Sequence, residues 1–431
     1  MGDRTAPANR ARTWQIAPAA VRGRARSQWG AARGGARRAP TGWTRMSAID
    51  QTRTAWAAPP WLDAVLKGVR LVLIIVGNLA MVAGCMALAH VVTSALAPFL
   101  AMLLIFPLAV FATIAIHEGG HALAARAVGM TVSMVRVGPL HLLARRRGWR
   151  VRWQRTRQGD NTGVVLAVPN PYAAVRRQYL VLIAGGPLAN LLVAAGCGFL
   201  AWRLGLGSSS GAFCIGAAVF NLAVGLGNLV PLQSALGGSD GLKLLKHARR
   251  RDPDALAEVL AELNGLSLRG VTADKLPAHR LALLADGDGW FFYVWFTLKA
   301  MQIRGEWAQI AALQPVFEEQ VATLPAPVAE AWHTLVALLR CELAFSRAMA
   351  GADQADPLDA SLNAEIDWTS PALRPRCQAL MAAQRGDAGA ALAALARAEA
   401  LAENDVDAAT RQCERVLREA IRQRLPPTSR P

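Results

Sequence analysis

FATIAIHEGGHALAARAVGM, residues 111–130, is the stretch of this chain that indicates both its fold and its chemistry. It is an apolar, Ala- and Gly-rich pattern typical of a helix, and His117, Glu118 and His121 are set into it. Residues four apart lie on one face of a helix, about one turn from each other. His117 and His121 can therefore offer two imidazole nitrogens to one metal ion, with the Glu118 carboxylate beside them.

The surroundings of these three side chains are apolar. Between Leu96 and Val128 the only other ionisable side chain is that of Arg126. An acid at the centre of a bilayer costs about 2.5–3.5 kcal/mol on insertion scales, so it indicates a functional site. The H-E-x-x-H spacing is the pattern in which two histidines bind zinc and the glutamate takes a proton from water. A packing helix with two incidental histidines is the alternative.

Apolar segments long enough to cross a bilayer occur four times. About 20 apolar residues are needed for a helical span, and the sequence predicts spans at about 69–92, 99–125, 179–202 and 213–230. The second span carries the HEGGH stretch. Hydrophobic residues make up 53% of the 431-residue chain, which fits a membrane protein with a soluble part. We expect an α-helical membrane protein.

A basic segment separates the second and third spans. Residues 131–178 hold ten arginines and one acid. By contrast, the loop near residues 93–98 holds no basic residue and the loop near residues 203–211 holds only Arg203. Positive residues mark the cytoplasmic side of a membrane. We therefore expect a multi-pass protein of a bacterial inner membrane with both termini in the cytoplasm.

The same segment predicts a small membrane-associated β-sheet within residues 132–168. Residues 132–137, 149–153 and 164–168 have the composition and alternation of strands. The dipeptide Arg147-Gly148 predicts a turn just before the second of them.

Residues 1–60 form an arm that is rich in Arg, Ala, Pro and Gly. It carries eleven arginines and two acids and lacks apolar periodicity, so we expect it to be disordered. A basic arm can bind anionic lipid headgroups or nucleic acid, but a solvated tail is the simpler interpretation. If translation starts at Met46, most of the arm is absent from the cell.

A zinc site needs a further ligand, because catalytic sites use three protein ligands and a water molecule. Asp240 is the candidate: it is the only acid between Asp160 and the basic end of the helix predicted at 242–251, and it lies in the Gly-rich stretch GGSDG. The alternative is that Asp240 caps the N-terminus of that helix. The two roles can coexist, since a carboxylate has two oxygens.

With these motifs in hand, the chain resembles the site-2 protease family of intramembrane zinc metalloproteases, peptidase family M50. The resemblance covers roughly residues 70–250. It rests on HEGGH at 117–121, GPLAN at 186–190, N-x-x-P at 228–231 and DG at 240–241. The chain departs from the family in the longer stretch between Asn228 and Asp240, and in Ser239 where leucine is usual.

The resemblance implies a set of roles. His117, His121 and Asp240 would bind Zn²⁺, and Glu118 would be the general base. Asn190 and Asn228 would position the substrate strand or stabilise the oxyanion. The substrate would be a transmembrane segment of another membrane protein, paired with the sheet by β-strand addition. The partners expected are that substrate and the lipid bilayer, with no nucleic acid.

Residues 251–431 lie outside the resemblance. They are predicted to form an α-helical cytosolic domain that could bind a protein partner, and residues 385–401 have a tetratricopeptide-like pattern. The chain thus divides into the arm 1–60, a transmembrane metalloprotease core 61–250 and this domain. Two other functions remain open: a proteolytically inactive membrane adaptor of the same fold, and an ion-coupled transporter, for which no inverted repeat is visible.

Overall fold

Four long apolar helices dominate the first half of the computed structural model, which describes residues 58–92, 97–154, 163–234, 237–249, 254–351 and 362–426. They are α1 (Pro60–Val92), α2 (Ala97–Ala127), α3 (Val175–Leu204) and α4 (Ser209–Leu229). All four are long and apolar enough to cross a membrane. The prediction of an α-helical membrane protein with four spans is therefore confirmed.

Helix α1 begins at Pro60, nine residues before the apolar run predicted at residue 69. Its first turns carry Asp63 and Lys67, whose side chains form an ion pair of 2.6 Å one helical turn apart. Such a pair supports a helix but not burial in lipid. The helix is therefore longer than the apolar run.

The sheet after α2 has four antiparallel strands in the order β3-β2-β1-β4. They are β1 (Thr131–Val137), β2 (Leu140–Arg145), β3 (Gly148–Trp153) and β4 (Gly163–Val168). The small sheet is confirmed, but the sequence analysis missed β2. The segment LHLLAR has three leucines without regular alternation, so its strand character comes from pairing with β1 and β3.

A short hairpin links α4 to the next helix. Strand β5 (Gln233–Ser234) pairs with β6 (Gly237–Gly238), and α5 follows at Asp240–Ala248. The stretch between Asn228 and Asp240 is longer than is usual in the family that the sequence resembles, and this hairpin accounts for the extra length. At the other end of α5, the ring of His247 stacks on Tyr179 of α3 with a centroid distance of 5.1 Å. Helix α5 is thus held against α3.

The C-terminal part of the chain is helical, as predicted. Its helices are α6 (Leu256–Leu268), α7 (Ala278–Ala282), α8 (Trp290–Arg304), α9 (Trp307–Ala322), α10 (Ala326–Ala350), α11 (Ala364–Thr369), α12 (Leu373–Gln384), α13 (Ala388–Ala402) and α14 (Ala408–Arg422). The aromatic residues 290–296 begin α8, and Phe291 and Phe296 are buried in two neighbouring hydrophobic clusters. Residues 1–57, which include Met46 and all but the last three residues of the predicted arm, lie outside the described residues.

The β2–β3 hairpin is bound to the C-terminal helical part by arginines. Arg145 forms an ion pair with Asp405 at 3.2 Å and donates to the carbonyls of Trp368 and Thr369 at the end of α11. The guanidinium of Arg150 lies 5.0 Å from the centre of the Trp368 ring. Two of the arginines on which the prediction of a cytoplasmic loop rests therefore also bind the C-terminal helical part, more than 200 residues further along the chain.

Candidate metal centre

His117, His121 and Asp240 come together at one buried point, although Asp240 lies 119 positions after His121 in the chain. Asp240 Oδ2 lies 3.0 Å from His117 Nε2 and 3.4 Å from His121 Nε2. The two Nε2 atoms are 3.2 Å apart. Each of the three residues is less than a tenth exposed. The structure thus brings together the residues that the sequence proposes as ligands.

Both imidazoles are oriented by a carbonyl oxygen at their other nitrogen. His117 Nδ1 lies 3.0 Å from Asn190 Oδ1, and His121 Nδ1 lies 2.8 Å from the carbonyl of Leu182. A carbonyl can only accept, so the contact with Asn190 places the proton of His117 on Nδ1. At His121 the backbone N–H of Gly186 also lies 3.2 Å from Nδ1, but the shorter contact with the Leu182 carbonyl favours the proton on Nδ1 there as well. Both Nε2 atoms then present lone pairs to the same point. This is the arrangement that metal-binding histidines share, with the second nitrogen bonded to an acceptor.

The size of the triangle suits a metal ion. Tetrahedral coordination at bond lengths of about 2.0–2.2 Å separates neighbouring ligand atoms by about 3.3–3.5 Å. The edges of 3.0, 3.2 and 3.4 Å agree to within a few tenths of an ångström. Two nitrogen lone pairs at 3.2 Å cannot hydrogen-bond to each other, whereas a cation between them satisfies both. The residues present therefore fit a tetrahedral metal with two nitrogen ligands and one oxygen ligand.

Asp240 can point toward the histidines because its neighbours cap the helix and allow the close approach of the backbone. Ser239, not Asp240, caps α5, since its side chain accepts a hydrogen bond from Leu242 N. At Gly241 a Cβ would lie 1.8 Å from the carbonyl oxygen of Leu229, so only glycine lets the turn approach the end of α4. Ser239 is thus the N-cap of α5, so the alternative role proposed for Asp240 is taken by its neighbour. Ser239, which stands where the family usually has leucine, has a structural role in this chain.

The charge of Asp240 also suits a metal ligand. Lys243 Nζ lies 3.4 Å from Oδ1, the oxygen that faces away from the histidines. Asp240 is therefore a carboxylate with Oδ2 free to bind a cation.

Glycines on α2 and α3 make room for the cluster. A Cβ on Gly120 would lie 2.4 Å from the carbonyl oxygen of Gly185, so the two helices cross backbone to backbone at this point. A Cβ on Gly186 would lie 2.4 Å from His121 Nε2 and 2.8 Å from His117 Nε2. By contrast, a Cβ on Gly119 would meet nothing within 4 Å. The adjacent glycines therefore have different roles, which the motifs do not reveal.

Glu118 points toward the sheet rather than toward α3. Its carboxylate lies against Gly163, the first residue of β4: a Cβ there would be 2.1 Å from Oε1. Glu118 is 7% exposed. Strand β4 is the last in the order of the sheet, and its outer edge pairs with no strand in the described part of the chain. Glu118 thus lies between the cluster of His117, His121 and Asp240 and an edge strand.

The two asparagines proposed from the sequence lie in different surroundings. Asn190 is fully buried and is bonded to His117 through Oδ1 and to Asn221 of α4 through Nδ2, at 3.1 Å. Asn228 lies two turns beyond Asn221, is half-buried and makes no hydrogen bond with its side chain among the described residues. Asn221 was missed, because a single asparagine in an apolar helix carries no motif.

Comparison with known proteins agrees with this site. Residues 105–208 match the model of peptidase family M50, the site-2 protease family, so this segment of the chain is similar to that family. The segment contains the HEGGH helix and Asn190. A search of curated proteins and a search of solved structures each found no match. The resemblance is thus confirmed over this segment and supports a protease with apolar, membrane-type helices.

Proposed function

We propose that this chain is an intramembrane zinc metalloprotease that hydrolyses peptide bonds in or near the transmembrane segments of other membrane proteins, in regulated intramembrane proteolysis. The observation that carries the proposal is the buried triangle of His117 Nε2, His121 Nε2 and Asp240 Oδ2 beside Glu118. The triangle lies among four apolar helices. The match to peptidase family M50 supports the same reaction class.

His117, His121 and Asp240 would hold Zn²⁺, which suits two imidazoles and a carboxylate. When bound, zinc lowers the pKa of water toward neutrality and polarises a carbonyl group. Glu118 would accept the proton of the attacking water and return it to the leaving amine. The burial of Glu118 keeps bulk water from competing for that proton.

The edge of β4 is the proposed place for the substrate. A peptide in a helix has its carbonyl groups bonded within the helix, so the segment to be cut must first become extended. The unpaired edge of β4 can hold an extended segment by strand addition. Because Gly163 on this strand touches the Glu118 carboxylate, a segment paired there would pass beside the general base.

An apolar groove between α2 and the sheet is consistent with an apolar substrate. Its volume is about 360 Å³, and Phe111, Gly119 and Leu123 line it from α2 while Val135 and Leu142 line it from the sheet. We propose that side chains of the extended segment enter this groove, with Gly119 leaving the entrance next to Glu118 open.

The basic sheet segment would face the cytoplasm. If the four helices cross the membrane in turn, the end of α2, the sheet, the start of α3 and the end of α4 lie on one side. The ten arginines of residues 131–178 favour the cytoplasmic side, and both termini would lie there as well. The helices from residue 251 onward would then form a cytosolic domain beside the core of residues 61–250, open to a protein partner.

Metal content and cleavage test this proposal together. Zinc would be measured in detergent-purified protein for the wild type, His117→Ala, Asp240→Ala and Glu118→Ala. Cleavage of transmembrane-segment peptides would be followed by mass spectrometry. We expect near-stoichiometric zinc in the wild type and in Glu118→Ala, loss of zinc in the other two variants, and cleavage by the wild type alone.

Two outcomes would contradict the proposal in different ways. A wild-type protein that takes up no zinc under metal-replete conditions would remove the metalloprotease. A wild-type protein that binds zinc but cuts no more of any peptide than Glu118→Ala would leave the membrane adaptor as the better explanation.

A further inference from the structure

A line of buried polar side chains runs from His117 away from the proposed zinc site and into α4. Asn190 Oδ1 lies 3.0 Å from His117 Nδ1, and Asn190 Nδ2 donates to Asn221 Oδ1 at 3.1 Å. Asn221 Nδ2 in turn donates to the backbone carbonyl of Ala217 at 2.9 Å, and Thr113 Oγ1 lies 3.5 Å from it. Asn190, Asn221 and Thr113 are each at most 3% exposed.

The far end of this line determines the direction of every bond in it. The carbonyl of Ala217 can only accept, so the atom of Asn221 that faces it must be the NH₂ group. Asn221 therefore presents its oxygen to Asn190, and Asn190 must present its NH₂ group to Asn221. The remaining atom of Asn190, its oxygen, then faces His117 and can only accept. The proton of His117 must lie on Nδ1.

We propose that Asn221 is a positioning residue of the metal site: through Asn190 it holds the His117 proton on Nδ1 and so leaves Nε2 as the ligand atom. This inference rests on the proposed zinc site and adds to it a residue that touches neither metal nor substrate. It also gives Asn190 a role different from contact with the substrate, since its side chain is 0% exposed and bonded at both ends.

His121 does not need such a relay. Its Nδ1 lies 2.8 Å from the backbone carbonyl of Leu182, whose direction no side-chain rotation can reverse. An amide side chain, by contrast, can turn its oxygen and nitrogen by half a rotation. Without Asn221, Asn190 could present its NH₂ group to His117 and favour the proton on Nε2, where it blocks metal binding. The second amide is therefore required only on the His117 side.

Zinc affinity tests the inference. Dissociation constants would be measured by competition with a chromophoric chelator in detergent, on the full chain, for the wild type, Asn221→Leu, Asn190→Leu, Asn190→Asp and Asn78→Leu. Substitution of residues that orient metal ligands weakens binding about 10- to 100-fold. We expect a loss of about 10-fold in Asn221→Leu and 10- to 100-fold in Asn190→Leu. Asn78→Leu is the matched change in α1, because Asn78 also donates to the carbonyl four residues earlier, and it should leave the affinity unchanged.

Asn190→Asp separates positioning from helix packing. Its carboxylate can still accept from His117 Nδ1 but cannot donate to Asn221. If Asn190 merely joined α3 to α4, the Asp and Leu variants would lose affinity alike. If it orients His117, Asn190→Asp should bind zinc within about threefold of the wild type, because a carboxylate in this place supports a histidine ligand.

The outcomes distinguish the positioning role of Asn221 from the proposed zinc site itself. Wild-type affinity in Asn221→Leu, or equal losses in the two Asn190 variants, would overturn the positioning role while leaving the zinc site in place. A wild-type protein that binds no zinc would overturn the proposed function, and this inference with it.

Discussion

Removal of the Arg145 side chain should loosen the contact between the β2–β3 hairpin and the C-terminal helical part. The side chain of Arg145 is 8% exposed, and that of its partner Asp405 is 21% exposed. Besides this ion pair of 3.2 Å, the guanidinium donates to the carbonyls of Trp368 and Thr369 at 3.1 and 3.4 Å. Arg145→Ala removes all three interactions without removing backbone.

The expected size of the effect follows from burial. Breaking a fully buried ion pair costs about 3–5 kcal/mol, and an exposed pair contributes about 0–1 kcal/mol. Asp405 is one-fifth exposed and can be rehydrated when Arg145 is absent, so about 2–3 kcal/mol is appropriate. At about 1.4 kcal/mol per factor of ten, the contact should open about 30- to 150-fold more often.

Two backbone amides report that opening directly. The amide of Arg146 donates to the carbonyl of Asn404 at 2.9 Å, and the amide of Arg147 donates to Asn404 Oδ1 at 2.8 Å. Hydrogen exchange of peptides covering the hairpin, measured by mass spectrometry in detergent, should speed up by the factor above in Arg145→Ala. Peptides from α13 and α14 should change little, because their own helical bonds remain.

Arg147→Ala is the matched control. Its side chain is exposed and forms no ion pair or side-chain hydrogen bond within the described part of the chain, while its amide is retained. It removes the same charge from the same hairpin and should exchange like the wild type. Equal exchange in wild type and Arg145→Ala would refute the reasoning, and so would an equal acceleration in Arg147→Ala. A double-mutant cycle with Asp405→Ala should give a coupling free energy of about 1–3 kcal/mol.

Three further predictions concern glycines at which an added side chain would clash, and a buried ionised glutamate. Gly186→Ala should abolish zinc binding without unfolding the protein, because a Cβ there would lie 2.4 Å from His121 Nε2; zinc content and circular dichroism check this. Gly120→Ala should lower stability in detergent by about 1–3 kcal/mol or more through overpacking, whereas Gly119→Ala should be neutral or stabilising by up to about 1 kcal/mol, as measured by unfolding in mixed detergents. Burial alone would raise the pKa of Glu342, but the nearby Arg376 and Lys299 lower it to about 2. The unfolded pKa is higher, so this contribution to stability is complete above about pH 4.5 and lost as the pH falls toward 2. Acid titration by circular dichroism should show this loss in the wild type and a smaller pH dependence in Glu342→Gln.

Much of the fold could be predicted because the relevant patterns are local. An apolar run of about 20 residues predicts a span wherever it occurs, since the bilayer sets its length. The four helices of the membrane part therefore agree with four runs in the sequence. Strand β2 could not be found in this way, because LHLLAR has no period of its own and becomes a strand through its two neighbours.

The candidate site also has one part that local spacing predicts and one part that only the fold explains. His117 and His121 are four residues apart on one helix, so their spacing by itself predicts a shared face, with Glu118 beside it. Asp240 could be proposed because an acid is rare among apolar spans, but only the folded chain brings its Oδ2 within 3.0 Å of His117 Nε2.

The amino-acid sequence by itself determined the spans, the HEGGH face and the candidate third ligand. Only the tertiary structure decided that Ser239 caps α5 and that Gly186 makes room for the imidazoles. It alone decided that Asn221, 104 residues after His117, controls the direction of the Asn190 bond. The physical reason is range: helix periodicity and hydropathy act over a few residues of chain. Hydrogen-bond direction and atomic clearance depend on which distant backbones the packing of four helices brings within 3 Å.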